Sequence, residues 1–199
     1  MSEKGFNATS LGDVCNEAGV KKGSFYLYFE SKDCFGEAVI SYCREADLQA
    51  CKEAPFYKLT DPLARVMGRL DFAATFYADK SREASGCLLG TLAHEMSLAH
   101  PGFRTACRKV FAGSMEDFAQ DLIQAKAIYA PDASFDPDRL AILFLSTCEG
   151  SMLLGKVFDD PAVVQKSIED FHRAVEALFK IDSPNVKPAP KVNTEKSAP

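Results

Sequence analysis

The stretch from Thr9 to Lys32, TSLGDVCNEAGVKKGSFYLYFESK, decides the fold of this chain. It reads as two short helices around a tight turn, followed by the opening of a third helix. Thr9 or Ser10 can cap the first helix, and Leu11, Val14 and Ala18 fall on one face at helical spacing. Gly19 gives the backbone freedom a sharp reversal needs, and Val20 is expected to plug the corner from inside. The second helix is expected from Lys22 to Tyr28. Phe25 and Phe29, four apart, point inward, leaving Lys22, Gly23, Ser24, Tyr26 and Tyr28 outside. Lysines, hydroxyls and two tyrosines around a glycine make a poor solvent face but a good DNA face. The glycine lets backbone approach base edges, and the hydroxyls and amines donate to phosphates or bases. Ser31 is the N-cap of the third helix, and Lys32 beside that N-terminus is placed to hold a phosphate.

The run GVKKGSFYLYFESKDCF, residues 19–35, resembles the helix-turn-helix of the TetR family of bacterial transcriptional regulators, densely and without gaps. The resemblance implies an all-α homodimer with a DNA-reading head and a ligand-responsive, dimerising body. By position in that motif, Lys22 and Ser24 would approach bases, while Thr9, Tyr26, Tyr28 and Lys32 would hold backbone phosphates. Lys21 and Gly23 complete the contact set. The partner implied is double-stranded operator DNA. The domain reading is a head over residues 1–45, a body over 46–182 and a flexible tail over 183–199.

Members of the family carry a longer first helix ahead of the position of Phe6. Met1 to Phe6 resembles only the last turn of that helix, so the first helix reads as largely absent. The expectation is that Leu11, Val14, Phe25 and Phe29 lose a packing partner, each uncovered side chain forfeiting roughly 1.5–3 kcal/mol. DNA binding would weaken accordingly.

The chain has 199 residues, of which 47% are apolar, enough for a proper core on a small head and a larger body. No apolar run reads as a membrane span, and the N-terminus lacks an apolar leader segment. Seven cysteines without a CxxC pair favour free thiols in the cytoplasm over a disulfide framework. The net charge of −5 is awkward for a DNA binder, and residues 1–52 hold six Lys/Arg against eight Asp/Glu. Affinity must therefore come from where the cations sit rather than from their sum.

Asp61-Pro62, Asp136-Pro137 and Asp160-Pro161 each place a capping Asp before a Pro suited to the first helical position. Helices are predicted at 32–52, 61–79, 87–99, 101–129, 137–158 and 161–180, with no strand. Pro-rich composition after Ser183 marks the tail.

Residues 140–158, LAILFLSTCEGSMLLGKVF, are almost wholly apolar or small, so this helix must be covered on most faces. Gly150, Ser151 and Gly155 allow close approach, and Val163, Val164, Ile168, Phe171, Val175 and Leu178 supply a second stripe. In TetR-like dimers the last two long helices pair with their copies, and these two helices resemble that arrangement. Glu149 and Lys156 interrupt the apolar run two turns apart on one face. They are expected to form an interface ion pair or to meet an effector.

Cys87 opens a helix after Ser85-Gly86, where the helix dipole favours thiolate. The segment SGCLLGTLAHE resembles a TetR subgroup that includes regulators responsive to electrophiles and oxidants. That resemblance implies a sensing thiol at Cys87, with Lys156 as its candidate neighbour, and Glu149 joins them in the candidate effector set. A small buried core residue is the competing reading, and the other six cysteines read as core or incidental.

His94, His100 and His172 lack metal-ligand spacing, and no phosphate loop or nucleophile elbow is present. No metal, cofactor or catalysis is expected. Phe72, Phe76, Tyr77, Phe103, Phe111, Phe118 and Phe144 are expected in the core, some lining an apolar effector cavity. The leading reading is a repressor released from its operator by a small molecule, electrophile or oxidant. One alternative is a TetR-like ligand- or partner-binding protein with an impaired head. The third is a cysteine-dependent enzyme, for which no base is visible.

Overall fold

Helix follows helix in the computed structural model, which describes residues 4–79, 87–98 and 100–180. No strand occurs among the described residues. Among the described residues eight α-helices succeed one another: α1 Leu11–Glu17, α2 Lys22–Phe25, α3 Lys32–Glu53, α4 Pro62–Phe76, α5 Leu88–Met96, α6 Pro101–Tyr129, α7 Pro137–Phe158 and α8 Ala162–Leu178. A 3₁₀ turn, Pro55–Lys58, joins α3 to α4 and had no counterpart in the sequence reading. The tail over 183–199 and Ser85-Gly86 lie outside the described residues.

The punctuation acts as its chemistry requires. Ser10 caps α1, and Asp13 returns a bond to the Ser10 N–H, closing a capping box. Asp61 and Asp136 cap α4 and α7, each with Pro at the first helical position. Asp160 does the same for α8, one residue ahead of Pro161: its carboxylate accepts from the Ala162 N–H at 2.9 Å. Asp159 takes the left-handed conformation that closes α7, so the α7–α8 turn is tight.

The 29-residue α6 is the spine, packing against α3, α4, α5 and α7. Three apolar clusters form the core among the described residues. The largest joins α4, α6, α7 and α8 through Val66, Leu70, Phe118, Leu122 and Val175. A smaller one joins α4, α7 and α8 through Ala73, Cys148, Val164 and Ile168. The third ties head to body: Phe6 and Ile40 pack with Leu89, Leu92, Met96, Phe103 and Val110. The Phe6 and Phe103 rings meet edge to face, 5.0 Å apart.

Two expectations about the long helices change. The α8 stripe of Val164, Ile168, Phe171 and Val175 is buried in its own protomer's core, because α8 packs on both α4 and α7. The uncovered apolar surface belongs to α7, where Ile142, Leu143, Leu153, Leu154, Val157 and Phe158 stand exposed. By length and composition α7 could also cross a membrane, contrary to the sequence reading. Its opposite face is committed to the core through Ala141, Cys148, Ser151 and Gly155.

Candidate DNA-reading head and effector cavity

The head is built on the α1–turn–α2 corner. Gly19 turns it with φ +66°, a left-handed conformation that suits glycine. Phe25 is buried and packs against Phe29 and Phe35, at 5.3 and 5.7 Å, which fixes the outer face of α2. Lys21, Lys22, Gly23, Tyr26 and Tyr28 are exposed on that outer side and Ser24 is half-buried. A Cβ added at Gly23 would meet no atom within 4 Å, so the backbone there is open to a close partner. Ser31 caps α3 by accepting from the Cys34 N–H at 3.1 Å.

Three head residues depart from expectation. Thr9 is only 3% exposed and its hydroxyl donates to the Gly5 carbonyl at 2.6 Å, so it is spent on the fold instead of a phosphate. Val20 does not plug the corner: it is 43% exposed, and the aromatic trio fills that role. Lys32 lays its ammonium over the Phe6 ring, 4.2 Å from the centroid, so its reach is tethered. Leu27, at 81% exposed the barest large apolar group on this face, was missed. Its signal was its place between Tyr26 and Tyr28, off the Phe25/Phe29 row; an exposed leucine there suits contact with a thymine methyl. Phe6 covers part of the head core that the sequence left uncovered, and Phe25 is buried, whereas Leu11, Val14 and Phe29 are half-buried. The head carries little net positive field, since Lys4 pairs with Asp13 at 3.0 Å. The bonds from Ser10 and Lys4 pull the Asp13 carboxyl down to about 2.

The body encloses a cavity of about 440 Å³ between α3, α4, α6 and α7, a size suited to a small organic ligand. Its walls mix aromatics with charge. Phe72, Tyr77, Phe111, Phe118 and Phe144 line it, whereas Phe76 and Phe103 do not. Cys51 and Cys148, read from sequence as incidental, also line it, as do Cys87 and Glu149.

Cys87 is the N-cap of α5, and its sulfur accepts from the Gly90 N–H at 3.2 Å. The dipole argument nevertheless loses. Burial pushes the thiol well above its ordinary value, the Glu149 carboxylate adds to the rise, and the two Sγ-directed backbone N–H groups only soften it. Burial also raises Cys148, to about 12, and pushes the Glu149 carboxyl upward. Cys87 is therefore a protonated thiol bonded to Glu149, the opposite of the expected thiolate. Lys156, its proposed neighbour, is exposed near the end of α7 and does not line the cavity. Glu149 and Lys156 thus separate into an inner acid and an outer base.

Two helices connect this cavity to the head. Helix α5 begins at the cavity with Cys87 and Leu89 and ends at Glu95, which accepts from the Asn7 N–H at 2.9 Å. Gly5 sits directly against the same carboxylate. Nine residues span roughly 13 Å at 1.5 Å per residue. Helix α3 begins beneath the reading helix at Ser31 and reaches the cavity wall with Arg44, Asp47 and Cys51. Neighbouring α6 also meets the head, where Asp33 contacts His100 at 3.3 Å. Among the described residues no cluster of three His, Cys, Asp or Glu could hold a metal ion.

Comparison with known proteins agrees with this geometry. Residues 1–39 match the family model described as bacterial regulatory proteins, tetR family. Residues 62–176 match the C-terminal domain model of LmrA/YxaF-like transcriptional regulators. The chain is 33% identical over 159 residues to the transcriptional regulator AcuR of Cereibacter sphaeroides, covering 79% of this chain and 71% of that one. It is 28% identical over 155 residues to the transcriptional repressor DhaR of a Mycobacterium species, covering 78% and 76%. Among solved structures, the regulatory protein TetR from Rhodobacter sphaeroides superposes with a TM-score of 0.75 at 31% identity, covering 86% and 90%.

Proposed function

Because the chain belongs to the TetR family of transcriptional regulators, with a DNA-binding head and a ligand-binding body, we propose that it is a repressor whose operator grip is released by a small molecule in the body cavity. The observation that carries this is the placement of α5 and α3. Both helices start or end on the cavity wall and reach the head, so a ligand that favours one packing of them biases the other end.

The working form is a homodimer acting on duplex DNA in the bacterial cytoplasm. The bare face of α7 supports the pairing: Ile142, Leu153 and Val157 line up with Ser146 and Gly150 at three- and four-residue spacing, an apolar stripe with small residues at its middle. Two heads held this way can enter successive major grooves about 34 Å apart. Any change in body packing alters that spacing.

A reversible ligand fits better than modification of Cys87, since the thiol is held protonated. Enzymatic use of Cys87 has the same weakness. The test is a mobility-shift titration, across salt, on the DNA upstream of the chain's own gene. Lys32→Ala should flatten the salt slope by about 0.9, as loss of one phosphate contact would. An unchanged slope removes Lys32 from the phosphate contacts, and no retardation of any promoter fragment by the dimer overturns the repressor reading.

A further inference from the structure

Three arginines line the body cavity, and they are not equivalent. Arg65 is spent: Nε donates to Asp121 at 2.9 Å, Nη1 to the carbonyls of Leu59 and Thr60, and Nη2 to Gln124 at 2.8 Å. Arg44 is occupied along α6, donating to the Ser114 hydroxyl at 2.7 Å and lying 3.7 Å from Asp117. Arg69 is different. Its Nη2 donates to Asp121 at 3.1 Å, but its Nε is buried and has no acceptor. A buried N–H without a partner is a standing cost that an incoming oxygen would relieve.

Around Asp121 the balance of charge is positive. Asp121 offers a single negative charge to two guanidinium groups, leaving the trio net positive. The Arg69 guanidinium lies over the Phe56 and Phe118 rings, 5.3 and 5.8 Å from their centroids, which fixes its plane and keeps water away. A planar, oriented, incompletely bonded guanidinium in an apolar wall is matched by a carboxylate. The apolar lining continues from these rings: Phe72 packs on Phe56 at 5.6 Å, Phe144 on Phe118 at 4.8 Å, and Met152 joins them in the wall. Asp47 and Glu149 also face this space, but Glu149 takes the Cys87 S–H, and its burial favours the uncharged carboxyl.

Resting on the reading of this cavity as the effector site, we infer that the effector is a small monocarboxylate whose oxygen bonds the Arg69 guanidinium and whose apolar remainder packs against Phe72, Phe144 and Met152. Its arrival would draw Arg69 between ligand and Asp121, so that α4 and α6 are bridged through the ligand as well as through the protein.

The experiment is calorimetric titration of the full chain with butyrate, hexanoate and phenylacetate, each beside its amide and its amine. At least one acid should bind tenfold or more tightly than its amide, and the same acid should release promoter DNA. Arg69→Gln should erase that ratio while leaving amide affinity unchanged. Arg69→Lys, which keeps charge but loses the planar fork, should reduce it. Should either variant fold poorly, the acid-to-amide ratio in the wild-type chain still decides. Equal binding of acid and amide, or preference for the amine, overturns the carboxylate assignment and leaves the cavity reading standing. Binding by none of the acids, amides or amines overturns both.

Discussion

Gly36 offers a substitution whose sign is decided by competition between two effects of similar size. It lies in the second turn of α3, buried where head meets body. Replacing glycine by alanine inside a helix ordinarily stabilises by about 1 kcal/mol, through backbone entropy. Here a Cβ would stand 2.5 Å from Phe103 Cζ and 2.7 Å from Phe6 Cε2, with Phe103 Cε1 at 2.9 Å. Both rings are rigid, and both are buried in the cluster that docks the head, so neither can swing aside into solvent. Overpacking of this kind costs about 1–3 kcal/mol. The difference predicts that Gly36→Ala destabilises by roughly 1 kcal/mol, lowering Tm by about 2–4 °C in a protein of this size. Adding Phe103→Leu, which removes the nearest ring, should recover part of the loss, because the two sites touch and their effects do not add. Phe103 does not line the cavity, so ligand affinity should stay the same in both variants while the shift that ligand produces in DNA affinity shrinks. Thermal melting followed by circular dichroism is sufficient. A rise in Tm of 2–4 °C for Gly36→Ala, as helix propensity alone would give, would refute the three-way packing of Gly36, Phe6 and Phe103.

Burial raises the Glu149 carboxyl pKa, so the stability this group contributes is complete below its unfolded value and is lost as pH rises through the folded one. Glu149→Gln does not titrate and can still accept from Cys87; melting curves should show it more stable than wild type at pH 7, with the gain gone near about pH 4. A gain independent of pH would mean that packing, not charge, is responsible. Under limiting iodoacetamide, peptide mass spectrometry should find exposed Cys34 alkylated well before Cys87, whose thiol is held protonated. Cys87 reacting first would revive the electrophile-sensing reading.

The sequence by itself determined the elements. Asp-Pro pairs at 61, 136 and 160, the break at His100-Pro101 and the Gly19 turn located the helices to within a few residues, because caps and φ preferences are local properties. It also determined the outer face of the head, since Phe25 and Phe29 at helical spacing leave Lys22, Gly23 and Tyr26 outside whatever the body does. Everything that depends on who lies opposite was decided only by tertiary structure. The α8 stripe and the α7 stripe are equally apolar on paper, and the contacts of α4 determine which of them is covered. Thr9 has the chemistry of a phosphate ligand, but the turn at Gly5 captures its hydroxyl. Cys87 has the position of a reactive thiolate, but burial, with a carboxyl 62 residues further along adding to it, overrides the helix dipole that position provides. Arg69 gave no signal at all, because an arginine on an amphipathic helix usually reaches solvent. Only the folded chain buries its Nε between Phe56 and Phe118, where local sequence has no means of reporting the absence of an acceptor.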